Sequence, residues 1–170
     1  MKYTSAEANK LLKTLEKKRE KKAGKEKKVA KFTVSSTENV EELRPGYDFA
    51  DTQQQLAKID EDIRKVKHAI NVFNVTHEIP GFDGVTIDQA LIWLPQMNIE
   101  AKKLAAMAES IERERVESFR TTIIDYVIAN YDIEEAEKAY DEMRDKLNKL
   151  QLALDVANTT QTIEIDVETN

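Results

Sequence analysis

The run DIEEAEKAYDEMRDKLNKLQLALDVA, residues 132–157, decides the fold. Within it Ala136, Tyr140, Met143, Leu147, Leu150, Leu154 and Ala157 recur at alternating spacings of four and three, the rhythm of a heptad seam. A stripe that narrow asks for at least one other helix to lie along it. Asp132 is placed to cap the first turn, and Glu135, three residues on, stands where a capping box needs it. The spacing therefore predicts a helix over 132–157 and makes the other long segments its partners.

Composition agrees with that choice. Of 170 residues, 34% are charged and only 6% aromatic, and there are four glycines and three prolines. So little turn-forming material disfavours sandwiches and doubly wound sheets and favours long solvated helices. The length fits a single domain over 1–170. With no cysteine, the chain has no disulfide, thiolate metal site, iron–sulfur cluster or cysteine nucleophile. No run approaches the roughly 18 apolar residues of a membrane helix, and no apolar leader opens the sequence, so the expectation is a cytoplasmic protein with no membrane partner. The sequons at Asn74 and Asn158 then read as chance matches.

Working outward from the C-terminal helix, Thr4-Ser5-Ala6-Glu7 has capping-box spacing and opens a helix expected over 4–28. Ala8, Leu11, Leu12 and Leu15 give it an apolar face, after which the same face carries Lys18, Arg19 and Lys22 and the inner contact fades. Phe32 and Val34 alternate with Lys31 and Thr33, a strand pattern over 29–35. A loop through Pro45-Gly46 leads to a second helix, 49–74, with Leu56, Ile59, Ile63, Val66, Ile70 and Phe73 on one face. Pro80, Gly81 and Gly84 break any period before Thr86-Ile87-Asp88-Gln89 starts a third helix, 86–117, in which Pro95 predicts a kink or break. Residues 119–129 are rich in β-formers without helical spacing and read as a strand that would pair with 29–35. Ile163, Ile165 and Val167 alternate with acids, as a third short strand or a patterned tail would.

Chemistry finds little purchase on this pattern. A di-iron bundle needs Glu-x-x-His pairs, yet Lys65 and Asn74 stand three residues before His68 and His77, the two histidines of the chain. His77, Glu78, Asp83 and Asp88 offer a loop cation site, although loop carboxylates are more often simply solvated. There is no nucleophile elbow, and no P-loop or dinucleotide fingerprint fits four glycines. No catalytic residue, cofactor site or metal site is assigned, and the protein is expected not to be an enzyme.

Charge is unevenly spread. Residues 1–31 hold twelve basic residues against four glutamates, a balance of +8 within a net charge of −6, so the rest sums to −14. Lys17, Lys18, Lys21, Lys22 and Lys25 could lie along phosphates in a salt-sensitive, sequence-blind contact, with no aromatic side chains interleaved to stack bases. The alternative is that the basic arm packs beside acidic regions of its own oligomer. Asn71, Asn74, Asn158 and Thr160 read either as polar groups that fix helix register or as helix-end caps.

Ile70-Asn71-Val72-Phe73-Asn74 resembles the Ile-Asn-x-x-Asn element of the septicolysin-like family of uncharacterised bacterial helical proteins. The strand Ile123-Ile124-Asp125-Tyr126-Val127, the Asp132 helix and Ala157-Asn158-Thr159-Thr160 are similar to that family's strand, long helix and Ala-Asn-x-Thr-Thr end. The chain departs from the pattern at Thr159, which follows Asn158 where the family has a Trp between Asn and Thr, and around Trp93 and Pro95. The resemblance implies a helical, oligomer-forming protein of unknown role. The label suggests cell lysis, but nothing in the sequence is suited to enter a membrane.

The expected fold is thus mainly α: an antiparallel bundle of long helices with coiled-coil-like packing and a small antiparallel β-ribbon. The expected role is that of an oligomeric structural or interaction protein that meets copies of itself or another protein. A phosphate-binding role for the basic helix is the alternative.

Overall fold

The computed structural model describes residues 1–116 and 124–167. In chain order they form β1 (Lys2–Thr4), α1 (Ser5–Val29), α2 (Val40–Leu43), α3 (Phe49–Thr76), α4 (Ile87–Ala108), β2 (Arg113–Arg115), β3 (Tyr126–Ile128), α5 (Ile133–Thr160) and β4 (Thr162–Glu164). The fold is mainly helical, with two antiparallel two-stranded sheets among the described residues. Two compact units divide the chain: Met1–Thr76 with Asn158–Asn170, and His77–Ala157.

In the first unit α1 and α3 form an antiparallel hairpin. Thr4 caps α1 as its spacing predicts: its hydroxyl accepts from the Glu7 N–H at 3.2 Å while its own N–H donates to the Glu7 carboxylate at 2.8 Å. Ser5 and Ala8 are the buried residues of α1, and Leu11, Leu12 and Leu15 are half-buried. α3 buries Leu56, Ile59, Val66, Ile70 and Phe73, with Ile63 half-buried, so its expected apolar face is the real one.

Beyond Leu15 polar ties join the buried Leu56 and Ile59 of α3 in holding the pair. Glu16 meets Lys67 at 3.0 Å, Arg19 meets Asp60 at 2.6 Å, Lys22 bonds Gln55, and Glu26 accepts from Gln53 at 2.6 Å. Numbers that rise along α1 fall along α3, which gives the antiparallel sense. The later half of α1, where the inner contact was expected to fade, therefore has a partner within its own chain.

Two strands close this unit. β1 pairs with β4 in the register Lys2↔Glu164, Tyr3↔Ile163, Thr4↔Thr162, and Met1 and Ile165 exchange backbone hydrogen bonds at 2.9 Å. Ile163, Ile165 and Val167 are buried while Glu164 and Asp166 are exposed, so the alternation in the sequence marks a strand with one inward face.

In the second unit the turn 77–86 is held by its own backbone. Ile79 N–H donates to Val85 O at 3.0 Å and Ile87 N–H to His77 O at 2.8 Å. Gly81 and Gly84 have φ of 78° and 75°, a region that costs other residues roughly 1–2 kcal/mol each. Thr86 and Gln89 form the expected capping box. Of the kink or break expected at Pro95, the break does not occur: α4 continues through it. The missing proline N–H would have bonded the carbonyl of Leu91, a residue exposed enough for water to serve instead. The Lys146 ammonium of α5 sits 4.8 Å from the centre of the Trp93 ring of α4, and Tyr131 OH, ahead of α5, donates to Met107 O at 3.0 Å. Asp132 caps α5 by accepting from the Glu134 and Glu135 N–H groups at 2.8 and 3.2 Å. Along the heptad seam Ala136, Leu150, Leu154 and Ala157 are buried, and Tyr140, Met143 and Leu147 are half-buried.

Three expectations are corrected. The strand placed over 29–35 does not form: Val29 ends α1, and 30–35 is irregular. The helix expected over 86–117 ends at Ala108, because 109–116 offers no apolar face to hold a helix. Arg113–Arg115 is instead the strand that pairs with Tyr126–Ile128, the partner that 29–35 was expected to be. Of the strand expected over 119–129, residues 119–123 lie outside the described residues.

Candidate interaction surfaces

The outer face of α1 is basic by elimination. Of its four acids, Glu7 is turned into the cap, Glu16 to Lys67 and Glu26 to Tyr47 and Gln53, which leaves Glu20 among the solvent-facing lysines. Lys17, Lys18, Lys21 and Lys25 are exposed, as the sequence predicts, together with Lys10, Lys13, Lys27 and Lys28. Lys22 is half-buried and bonded to Gln55, so it belongs to the hairpin and not to that face. The face runs the length of a 25-residue helix, about 37 Å at 1.5 Å per residue.

The displaced titrations lie along the same hairpin and its flanks, and each has a local cause. Hydrogen bonds from the Thr4 backbone and hydroxyl hold the Glu7 carboxyl below its ordinary value. Arg19 lowers Asp60, Arg44 lowers Glu41, and Lys65 lowers Glu61, in each case mainly through a hydrogen bond. Tyr47 OH donates to Glu26 at 2.6 Å, which raises the phenol. Of these pairs Arg19–Asp60 joins two helices and Tyr47–Glu26 ties the loop before α3 to α1, while the other three are local to one element. Sequence reasoning missed Glu26, Tyr47 and Asp60; the helical spacing of Glu16, Arg19 and Glu26 against Lys67, Asp60 and Gln53 was the signal that could have found them.

The second unit presents apolar surface. Each residue of the β2–β3 ribbon is exposed on both faces, with Tyr126 at 42%, Val127 at 59% and Ile128 at 65%. Ile111, Val116 and Ile124, next to the strands in sequence, are exposed as well, and Arg113 stacks on the Tyr126 ring at 3.6 Å. Elsewhere in the unit Phe82, Leu152, Ala153 and Val156 line an open groove of about 700 Å³, edged by Glu142, Asp145, Lys146 and Lys149.

The polar candidates separate. Asn71 is exposed and Asn74 half-buried on α3; Asn158 is half-buried and Thr160 exposed at the end of α5. Asn71 and Thr160 thus lie at the surface of the chain, and Asn74 and Asn158 partly within it. Glu78 accepts from the Gly84 N–H at 3.2 Å, and among the described residues no three His, Asp or Glu side chains gather as a metal-holding group. No described helix is long and apolar enough to cross a membrane.

No protein-family profile and no curated protein matches the chain. Its fold is similar to that in a crystal structure of a functionally unknown conserved protein from Corynebacterium diphtheriae, with a TM-score of 0.57 and 16% identity over 96% of this chain and 100% of that one.

Proposed function

We infer that the protein is a non-enzymatic structural or interaction protein that acts in the cytoplasm as a homo-oligomer. The observation that carries this reading is the exposed apolar surface of the second unit, concentrated on the β2–β3 ribbon. A two-stranded ribbon with neither face covered is marginal in water, and exposed apolar patches of this kind mark association surfaces. The displaced titrations support the same reading, since each is accounted for by a pair that fastens a helix. The resemblance to septicolysin-like proteins at Ile70–Asn74 and Ala157–Thr160 points the same way. Light scattering on the purified chain tests it: a particle mass that is a multiple of 19.5 kDa is expected, and a single-chain mass at every concentration overturns it.

A second reading is favoured by the basic face of α1, whose acids are engaged elsewhere. A polyanion such as double-stranded DNA would lie along Lys17, Lys18, Lys21 and Lys25, with affinity falling steeply as salt rises. Replacing these four lysines with glutamate should abolish binding to a mixed-sequence duplex, and unchanged binding would rule the reading out.

A further inference from the structure

We propose that two copies of the chain join through the free edge of β3, centred on Val127, to make one four-stranded antiparallel sheet in the order β2-β3-β3-β2. This deepens the reading of the protein as self-associating and rests on it.

On β3 some backbone groups are already used by β2. Val116 N–H donates to Asp125 O and Ala129 N–H donates to Glu112 O. Bonding alternates along antiparallel strands, so residues 125, 127 and 129 face β2 and the N–H and C=O groups of Tyr126 and Ile128 face outward. Among the described residues β3 pairs with β2 and with no other strand. Its outer edge therefore offers a short unpaired ladder.

Charge decides which edge meets a second copy. Copies related by a two-fold axis pair residue i with residue 2c − i of the partner, where c is the residue on the axis. On β2 every such register is repulsive. Centred on Glu114 it sets Glu114 against itself and Arg113 against Arg115, and centred on Arg113 or Arg115 it sets that arginine against itself. On β3 the register centred on Val127 sets Tyr126 opposite Ile128 and Val127 opposite Val127, with Asp125 opposite Ala129. No like charges face one another, and aromatic, β-branched pairs are those that stabilise sheets. The outward residues match too, since Tyr126 and Ile128 would exchange the hydrogen bonds. The strand that would aggregate if left bare is the one whose sequence accepts its own copy, while arginine and glutamate guard the other edge.

The chain has no cysteine, so a single introduced thiol reports this contact without ambiguity. In the register centred on Val127 the two Val127 residues form a non-hydrogen-bonded pair with Cα atoms about 4.5 Å apart, within disulfide reach. Under mild oxidation Val127→Cys should cross-link into a two-chain species at least about tenfold faster than Glu114→Cys, because its thiols are held together and do not meet by diffusion. Val127→Arg should weaken self-association more than about tenfold through like-charge contact, with far-ultraviolet circular dichroism unchanged. Equal cross-linking rates for the two cysteine variants overturn the proposal. If the unmodified protein is then still a multiple of 19.5 kDa, only the β3 edge is wrong; if it is a single chain, the oligomeric reading falls with it.

Discussion

The guanidinium of Arg19 on α1 donates two hydrogen bonds to the carboxylate of Asp60 on α3, at 2.6 and 3.2 Å, across 41 residues of sequence. This fork fastens the hairpin beside the buried Ile59. The hydrogen bond from Arg19 holds the Asp60 pKa below its ordinary value. A lowered carboxylate contributes stability that is present above its unfolded pKa and lost as pH falls through the folded one. A double-mutant cycle with Arg19→Ala and Asp60→Ala should show favourable coupling at neutral pH, screened by salt, and none in acid once Asp60 is protonated. Coupling that persists in acid would contradict this account.

Tyr47 gives the opposite sign. Its hydrogen bond to Glu26 raises the phenol, so the associated stability is present below the unfolded tyrosine pKa and disappears as pH rises through the folded value. Ultraviolet titration should show one tyrosinate forming later than the rest in the native protein, and Tyr47→Phe should remove that late component.

Packing along α5 separates neighbouring leucines. Leu150 is 0% exposed and Leu152 is 66% exposed. Truncation of a buried leucine costs about 2–5 kcal/mol, so Leu150→Ala should lower stability to denaturant by that amount. Leu152→Ala should stay within about 0.5 kcal/mol, as an exposed site does.

Pro95 stands inside an unbroken helix. Proline is about 3 kcal/mol worse than alanine in a helix interior, part of which the looser unfolded alanine chain returns. Pro95→Ala should therefore raise stability by about 1–2 kcal/mol in a urea titration.

The helices were legible because their signals are local. Thr4-x-x-Glu7, Thr86-x-x-Gln89 and Asp132 fix three helix starts, and the period of Leu56 to Phe73 fixes the inner face of α3. Strand partners were not legible, because pairing depends on where distant segments arrive. The alternation of Phe32 and Val34 looked like a strand, yet Arg-Glu-Arg, a poor strand by composition, holds that place beside Tyr126–Ile128. Nor could the sequence show that Lys22 is engaged while Lys21 is free to face solvent, since that depends on Gln55 lying across from it. The alternation of Ile163, Ile165 and Val167 was visible, whereas its pairing with the first residues of the chain required the structure.

The central claim is self-association, and native mass spectrometry on the untreated protein tests it most directly by counting chains and weighing whatever accompanies them. The account predicts an even number of 19.5 kDa chains with no added mass. Single chains, or particles carrying nucleic acid or another ligand, would contradict it.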